Sequence, residues 1–195
     1  MKKMSPWLYV AALTTSLIST SSMADWSVQN EQSSVHFIST KKQHIAEIHH
    51  FKKVSGKLSD SGKFALAIDL ASVETGIDIR NSRMRDDLFK VGTFPAANLT
   101  AQLPQEVMQL KAGQSIQVEV AADLSLMQTS TPLILHIQVS RTNNNSYVAT
   151  SIQPVLISAT KVGLQQGVET LQKLAGLPSI GLTVPVSFNL LLNAD

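Results

Sequence analysis

The chain is dominated by apolar and polar side chains alternating with a period of two, a pattern that commits a sequence to half-buried strands. In KFALAIDL, Phe64, Leu66, Ile68 and Leu70 share one face, and Ala65, Ala67 and Asp69 share the other. SIQVEVAA sets Ile116, Val118 and Val120 against Gln117 and Glu119, and PLILHIQVS sets Leu133, Leu135, Ile137 and Val139 against Ile134, His136 and Gln138. The last run, GLTVPVSFNLLLN, aligns Leu182, Val184, Val186, Phe188, Leu190 and Leu192. WSVQN, SSVHFIST, HIAEIHHF, ANLTAQL and SYVATSIQP repeat the pattern more weakly. Asp60-Ser61-Gly62 and Asn143-Asn144-Asn145 read as hairpin connections.

Two stretches depart from this period. LQQGVETLQKLAGL places Val168, Leu171, Leu174 and Ala175 on one helical stripe, with Gly176 and Pro178 as stop signals. TGIDIRNSRMRDDLFK is a charged block between apolar runs, in which Met84 and Leu88 form an i,i+4 apolar pair. About eight antiparallel strands with two short helical segments predict an all-β fold, a closed barrel or a sandwich. Closure removes exposed strand edges, and eight strands leave an interior either filled by side chains or holding one ligand.

The first 24 residues predict a secretory signal peptide: Lys2 and Lys3, an apolar core from Trp7 to Ile18, then Ser22-Met23-Ala24. That core is too short to span a bilayer, and no later segment has the length of a spanning helix. With no cysteine there is no lipid-modified anchor. The expected product is a domain over residues 25–195, periplasmic or secreted after cleavage near Ala24, with no stable membrane anchor. Loss of Lys2 and Lys3 from 16 Lys+Arg balances the 14 Asp+Glu. The basic precursor charge is therefore no nucleic-acid footprint, and with 5% aromatic residues no nucleic-acid partner is expected.

Catalytic chemistry finds little support. There is no cysteine nucleophile, G-x-S-x-G or glycine-rich phosphate cradle. No catalytic residue, metal ligand or cofactor is assigned, and the chain reads as a non-enzyme. HIAEIHHF brings His44, Glu47, His49 and His50 together in sequence, but on a strand Glu47 and His49 face one way and His44 and His50 the other. A metal-binding or enzymatic role for this region is one alternative; a solvated basic strand is the other reading of it. The charged block holds Arg80, Arg83 and Arg85 beside Asp78, Asp86 and Asp87. These arginines either pair locally or sit at a cavity mouth to meet a polar headgroup.

The order of these features resembles the YceI-like family of exported lipid-binding proteins. The resemblance runs from SSVHFIST through FKKVSGKLSDSGKFALAIDLASVETGIDIRNSRMRDDLFKVGTFPAANLTAQL, and covers residues 26 to 192. Its most specific pieces are ASVETG, IRNSRMRDDLF and Phe94-Pro95, with later echoes in DLSLMQTSTPLIL and ISATKVGL. The chain departs from many members in having Arg83-Met84 where they carry His-Leu, and Met127 where they carry His. The helical segment 164 to 177 reads as an insertion relative to shorter members. The resemblance implies a lipocalin-like antiparallel barrel of about eight strands whose interior holds an apolar isoprenoid-type lipid of the polyisoprenoid or quinone kind. Inward faces then place Phe37, Phe64, Leu66, Ile68, Val118, Leu135, Ile137, Val186 and Phe188 against core or cavity, with Arg80, Arg83 and Arg85 as headgroup candidates. A structural or stress-related barrel with a filled core and a protein partner is the remaining alternative.

Overall fold

The computed structural model describes residues 25–195; the expected signal peptide, residues 1–24, lies outside the described residues. Among the described residues twelve strands form one antiparallel sheet. They are β1 (Trp26–Val28), β2 (Ser34–Lys41), β3 (Ile45–Phe51), β4 (Val54–Leu58), β5 (Lys63–Asp69) and β6 (Val73–Glu74), then β7 (Ala96–Gln102), β8 (Ser115–Leu126), β9 (Thr129–Asn143), β10 (Ser146–Ser151), β11 (Val155–Ser158) and β12 (Thr183–Ala194). Eight of them, in the order β1-β4-β5-β7-β8-β9-β10-β12, make a closed ring, because β1 pairs with β4 on one side and β12 on the other. β12 is long enough to do two jobs. Its C-terminal half closes the ring with β10 and β1, while its N-terminal half carries β11 and β2, which leads on to β3 and β6.

Both hairpins expected at Asp60-Ser61-Gly62 and Asn143-Asn144-Asn145 join neighbouring strands, β4 to β5 and β9 to β10. Three strands escape the alternation pattern. β6 and β11 are too short to show a period, and β4 (VSGKL) carries a glycine where its inward stripe needs an apolar side chain. That glycine has a packing reason. A Cβ on Gly56 would lie 2.6 Å from the Ala65 carbonyl oxygen and 3.0 Å from a Val28 methyl. The clash is with backbone, which cannot turn aside. Gly56→Ala should therefore cost about 1–3 kcal/mol, as overpacking does, read as a lower denaturation midpoint with an unchanged m-value.

The charged block folds as expected into a helical connection, α1 (Asp78–Arg83), which widens into a π-helical turn over Met84–Phe89. A single turn, α2 (Gln105–Met108), was not anticipated. The expected C-terminal helix is α3 (Gln165–Leu174). Val168 and Leu171 pack toward the π-helical turn, but Leu174 and Ala175 at its end are exposed, so the apolar stripe is shorter than the sequence suggests. Packing of α3 on this turn is close: a Cβ at Gly167 would stand 2.9 Å from Leu88 Cα.

Two core clusters divide the barrel along its axis. One, around Trp26, Val107, Leu110, Tyr147 and Leu192, seals the end under α2. The other, around Leu70, Met84, Leu88, Phe89, Val162 and Val168, joins the opposite end to the helical cap of α1, the π-helical turn and α3.

Candidate functional site

Between the two clusters lies a cavity of about 200 Å³. Thirty side chains line it, and every one is Ala, Val, Leu, Ile or Phe. The space follows from side-chain size: Ala97, Ala101, Ala149 and Ala159 contribute only methyl groups to a wall otherwise built of larger residues. Along β5 the wall runs from Phe64 to Ile68, about 13 Å of strand, and continues at Leu70 just past the strand's end. The cavity is thus long and uniformly apolar. Such a wall can desolvate a hydrocarbon chain and by itself supplies no hydrogen bond.

Eight of the nine inward residues read from sequence lie in this wall: Phe37, Phe64, Leu66, Ile68, Leu135, Ile137, Val186 and Phe188. Val118 shares the inward face of β8 but packs into the core cluster at the α2 end, outside the cavity wall. The cap supplies wall residues that strand periodicity could not reveal, among them Leu88 and Phe89 of the π-helical turn and Val168 of α3. The Met84 and Leu88 spacing signalled a buried face there, though not a cavity.

None of the three arginines lines the cavity. Arg80 donates through Nη1 to Glu47 Oε2 at 2.8 Å and through Nη2 to the Thr75 carbonyl at 2.7 Å. Arg83 reaches the Leu174 carbonyl at 3.3 Å, tying α1 to the end of α3, and Arg85 donates to Ser82 Oγ at 3.0 Å. Glu47 also takes Lys41 at 2.9 Å. The hydrogen bond from Lys41, helped by the Arg80 charge, holds the Glu47 carboxyl below its ordinary range despite burial. On the same inward face His49 is 2% exposed, its Nε2 2.9 Å from Ser39 Oγ. Burial first, then the Arg80 charge, depresses its pKa, so the ring stays neutral near pH 7. His49 is thus no part of a solvated strand. The remaining histidines of the region do not converge on it: His44 is exposed on the β2–β3 hairpin, and His36 and His50 pair on the outer face with rings 5.8 Å apart. Among the described residues no three His, Asp or Glu side chains come together as metal ligands.

The start of the cap is held by Glu74. Its carboxylate accepts from Asn81 at 2.9 Å and from the Gly76 backbone at 2.7 Å, and it pairs with Lys52. These bonds, led by Lys52, hold its pKa at about 2 against an ordinary 4.5. A depressed carboxylate contributes stability above pH 4.5 and loses it as pH falls toward about 2. Thermal melts of Glu74→Gln should consequently be flatter than the parent's in that acid window and parallel to it near pH 7.

The profile of the YceI-like domain family matches residues 26–192 of this chain. The chain belongs to the YceI-like family. A solved polyisoprenoid binding domain from Saccharophagus degradans, implicated in plant cell wall breakdown, is 37% identical, with a TM-score of 0.84 over 87% of this chain and 98% of that one. Burkholderia cenocepacia BcnA shares the fold at 18% identity, with a TM-score of 0.65 over 84% of this chain and 98% of its own. Among curated proteins none matches. The YceI-like segments fall where they shape the cavity. ISATKVGL supplies Ile157, Ala159, Val162 and Leu164 to the wall. At the two departures, Met84 is buried in the cap, and Met127 occupies the β8–β9 turn with a left-handed φ of 54°. No helix among the described residues is long and apolar enough to cross a membrane.

Proposed function

We propose that this YceI-like chain is an exported carrier that holds one isoprenoid-type lipid inside its barrel and catalyses no reaction. The observation that carries the reading is the all-carbon wall of the cavity; the 37% identical polyisoprenoid binding domain supports it. In this reading the nine residues Phe37, Phe64, Leu66, Ile68, Val118, Leu135, Ile137, Val186 and Phe188 enclose the tail, eight by direct contact and Val118 by backing the wall at the α2 end. Arg80, Arg83 and Arg85 act mainly by fastening the cap, Arg80 to β3 and Arg83 to α3. The energetics suit the task. Each isoprene unit of about five carbons contributes several kcal/mol at roughly 0.8 kcal/mol per CH₂-sized group, so an apolar wall alone binds a long chain tightly.

The test is extraction. Protein purified from its native compartment, treated with organic solvent, should release close to one isoprenoid per chain by mass spectrometry. An empty extract from such protein would count against carriage.

A protein-partner role beside carriage is favoured by one feature of the outer wall. Leu156 faces Pro185 across β11 and β12, Ile38 faces Ile48 across β2 and β3, and Val186 opposite Phe37 brings the two pairs side by side. Ile48 is 70% and Leu156 65% exposed. Light scattering of the parent and of Ile48→Lys reads whether this row holds a second chain: a larger parent mass lost in the variant supports it, and two monomers oppose a self-partner.

A further inference from the structure

Just beyond the carbon wall of the cavity, one stripe of inward side chains turns polar. Inward positions on β2 run Val35, Phe37, Ser39, and on β3 they run Phe51, His49, Glu47; the register sets Phe37 opposite His49 and Ser39 opposite Glu47. Val35, Phe37 and Phe51 belong to the cavity wall. The Phe37 ring lies 5.2 Å from the His49 ring. Along this stripe the inward positions therefore pass in one step from the carbon of the cavity wall to the nitrogen and oxygen of His49, Ser39 and Glu47, which adjoin the wall without lining it. On the other side of β2 the register keeps the wall apolar, with Val184 on β12 and Ile157 on β11.

The polar step is incompletely paired. His49 Nε2 meets Ser39 Oγ, but its Nδ1 is buried without a partner. Arg80 arrives from α1 with both terminal nitrogens committed, and its buried Nε is also unpartnered. Native interiors seldom leave such groups unpaired. The other orphaned atoms, on Trp26, Tyr147 and Arg141, lie at the sealed α2 end. There Trp26 meets Tyr147 edge-on and the Arg141 guanidinium lies over the Tyr147 ring, at 5.3 and 5.2 Å from its centroid. Arg80 Nε–H can only donate, and His49 Nδ1–H donates whenever the Ser39 hydroxyl donates to Nε2. What would complete the cluster is an acceptor oxygen.

We infer that His49, with Arg80 and Ser39, is the polar subsite of the barrel, taking the oxygen-bearing end of the lipid, a quinone carbonyl or a phosphate oxygen, while the isoprenoid tail lies along the carbon wall toward α2. This rests on the carrier reading and adds to it an orientation and a selectivity: the head lies under the helical cap, and a lipid with an acceptor oxygen binds better than a hydrocarbon of the same length.

Three probes with the same tail separate the contributions: farnesene, farnesyl phosphate and a farnesyl-tailed benzoquinone. Binding is measured for the parent, for His49→Phe, which keeps a ring against Phe37, and for His49→Asn, which restores a hydrogen-bonding group. In the expected result, at least one oxygen-headed probe binds His49→Phe about tenfold more weakly than the parent. Farnesene is unaffected, and His49→Asn recovers much of the loss. Whether the quinone or the phosphate loses more then identifies the head. In ¹⁵N spectra of the parent, Nδ1 of His49 shifts with that probe and not with farnesene, a response that a purely structural histidine would not give. Equal losses for all three probes, or none, overturn the inference while the carrier reading stands. If the parent binds none of the three, the carrier reading itself fails and the inference falls with it.

Discussion

Ala101→Phe combined with Ala149→Phe should leave the barrel folded and strip it of long lipid. Both alanines line the cavity in its α2 half. Ala101 sits between Phe64 of β5 and Ala122 of β8, and Ala149 between Val139 of β9 and Leu190 of β12. Forcing a larger side chain into a filled core costs about 1–3 kcal/mol. Here the added rings meet a void of about 200 Å³, where they gain contacts instead. The ligand-free melting temperature should accordingly hold or rise. The stabilisation a bound lipid confers, about 2.7 kcal/mol at a hundredfold excess over Kd, should disappear. Each single variant shortens the space from the same end and should shift the extracted lipids toward shorter chains. Mass spectrometry of extracts and melts with and without added lipid read both effects. A double variant that keeps the parent's lipid at the parent's stoichiometry would place the lipid elsewhere.

The cavity wall was largely legible because strand periodicity and burial are the same signal. On β5, β9 and β12 a residue two positions from an inward apolar one is itself inward, so Phe64, Leu66, Leu135, Ile137, Val186 and Phe188 could be read directly. Whether such residues fill a core or leave a tunnel is set by volume rather than pattern. The decisive alanines, Ala101 and Ala149, carry no mark in the alternation. Val118 shows the same limit: its face was readable, its distance along the barrel axis was not. His49 was harder still. Its face follows from the strand, but its surroundings depend on Arg80 of α1 reaching Glu47, 33 residues earlier in the chain. Nothing local to HIAEIHHF encodes that contact. The arginines divided the same way: the block's helical character was in its spacing, while their partners, a carbonyl of α3 among them, came from tertiary packing.

The α2 end should prove the mechanical weak point of the closed ring, and Tyr147 tests it. This residue is 1% exposed, packed edge-on against Trp26 with ring centroids 5.3 Å apart, with the Arg141 guanidinium 5.2 Å from its own centroid. Trp26 belongs to β1, only three residues long, whose pairing with both β4 and β12 closes the barrel. Tyr147→Ala removes a buried ring and leaves a hole, a change that costs about 3–5 kcal/mol, with about 0.5–1.5 kcal/mol more from the lost aromatic pair. Against a total stability of about 5–15 kcal/mol for a domain, that threatens folding at physiological temperature. Tyr147→Phe should behave in the opposite way. The hydroxyl is buried without a partner, so removing it is neutral or stabilising. Burial also raises the phenol's pKa, partly offset by the Arg141 charge. A proton held more tightly in the folded state contributes stability that is fully present below the ordinary value of 10.0 and falls away as pH climbs past it toward the folded pKa. Denaturant titrations should then show the parent losing stability above about pH 10 faster than Tyr147→Phe, and Tyr147→Ala well below both at every pH. Equal midpoints for the alanine and phenylalanine variants would mean that ring packing at this end does not hold β1 in place.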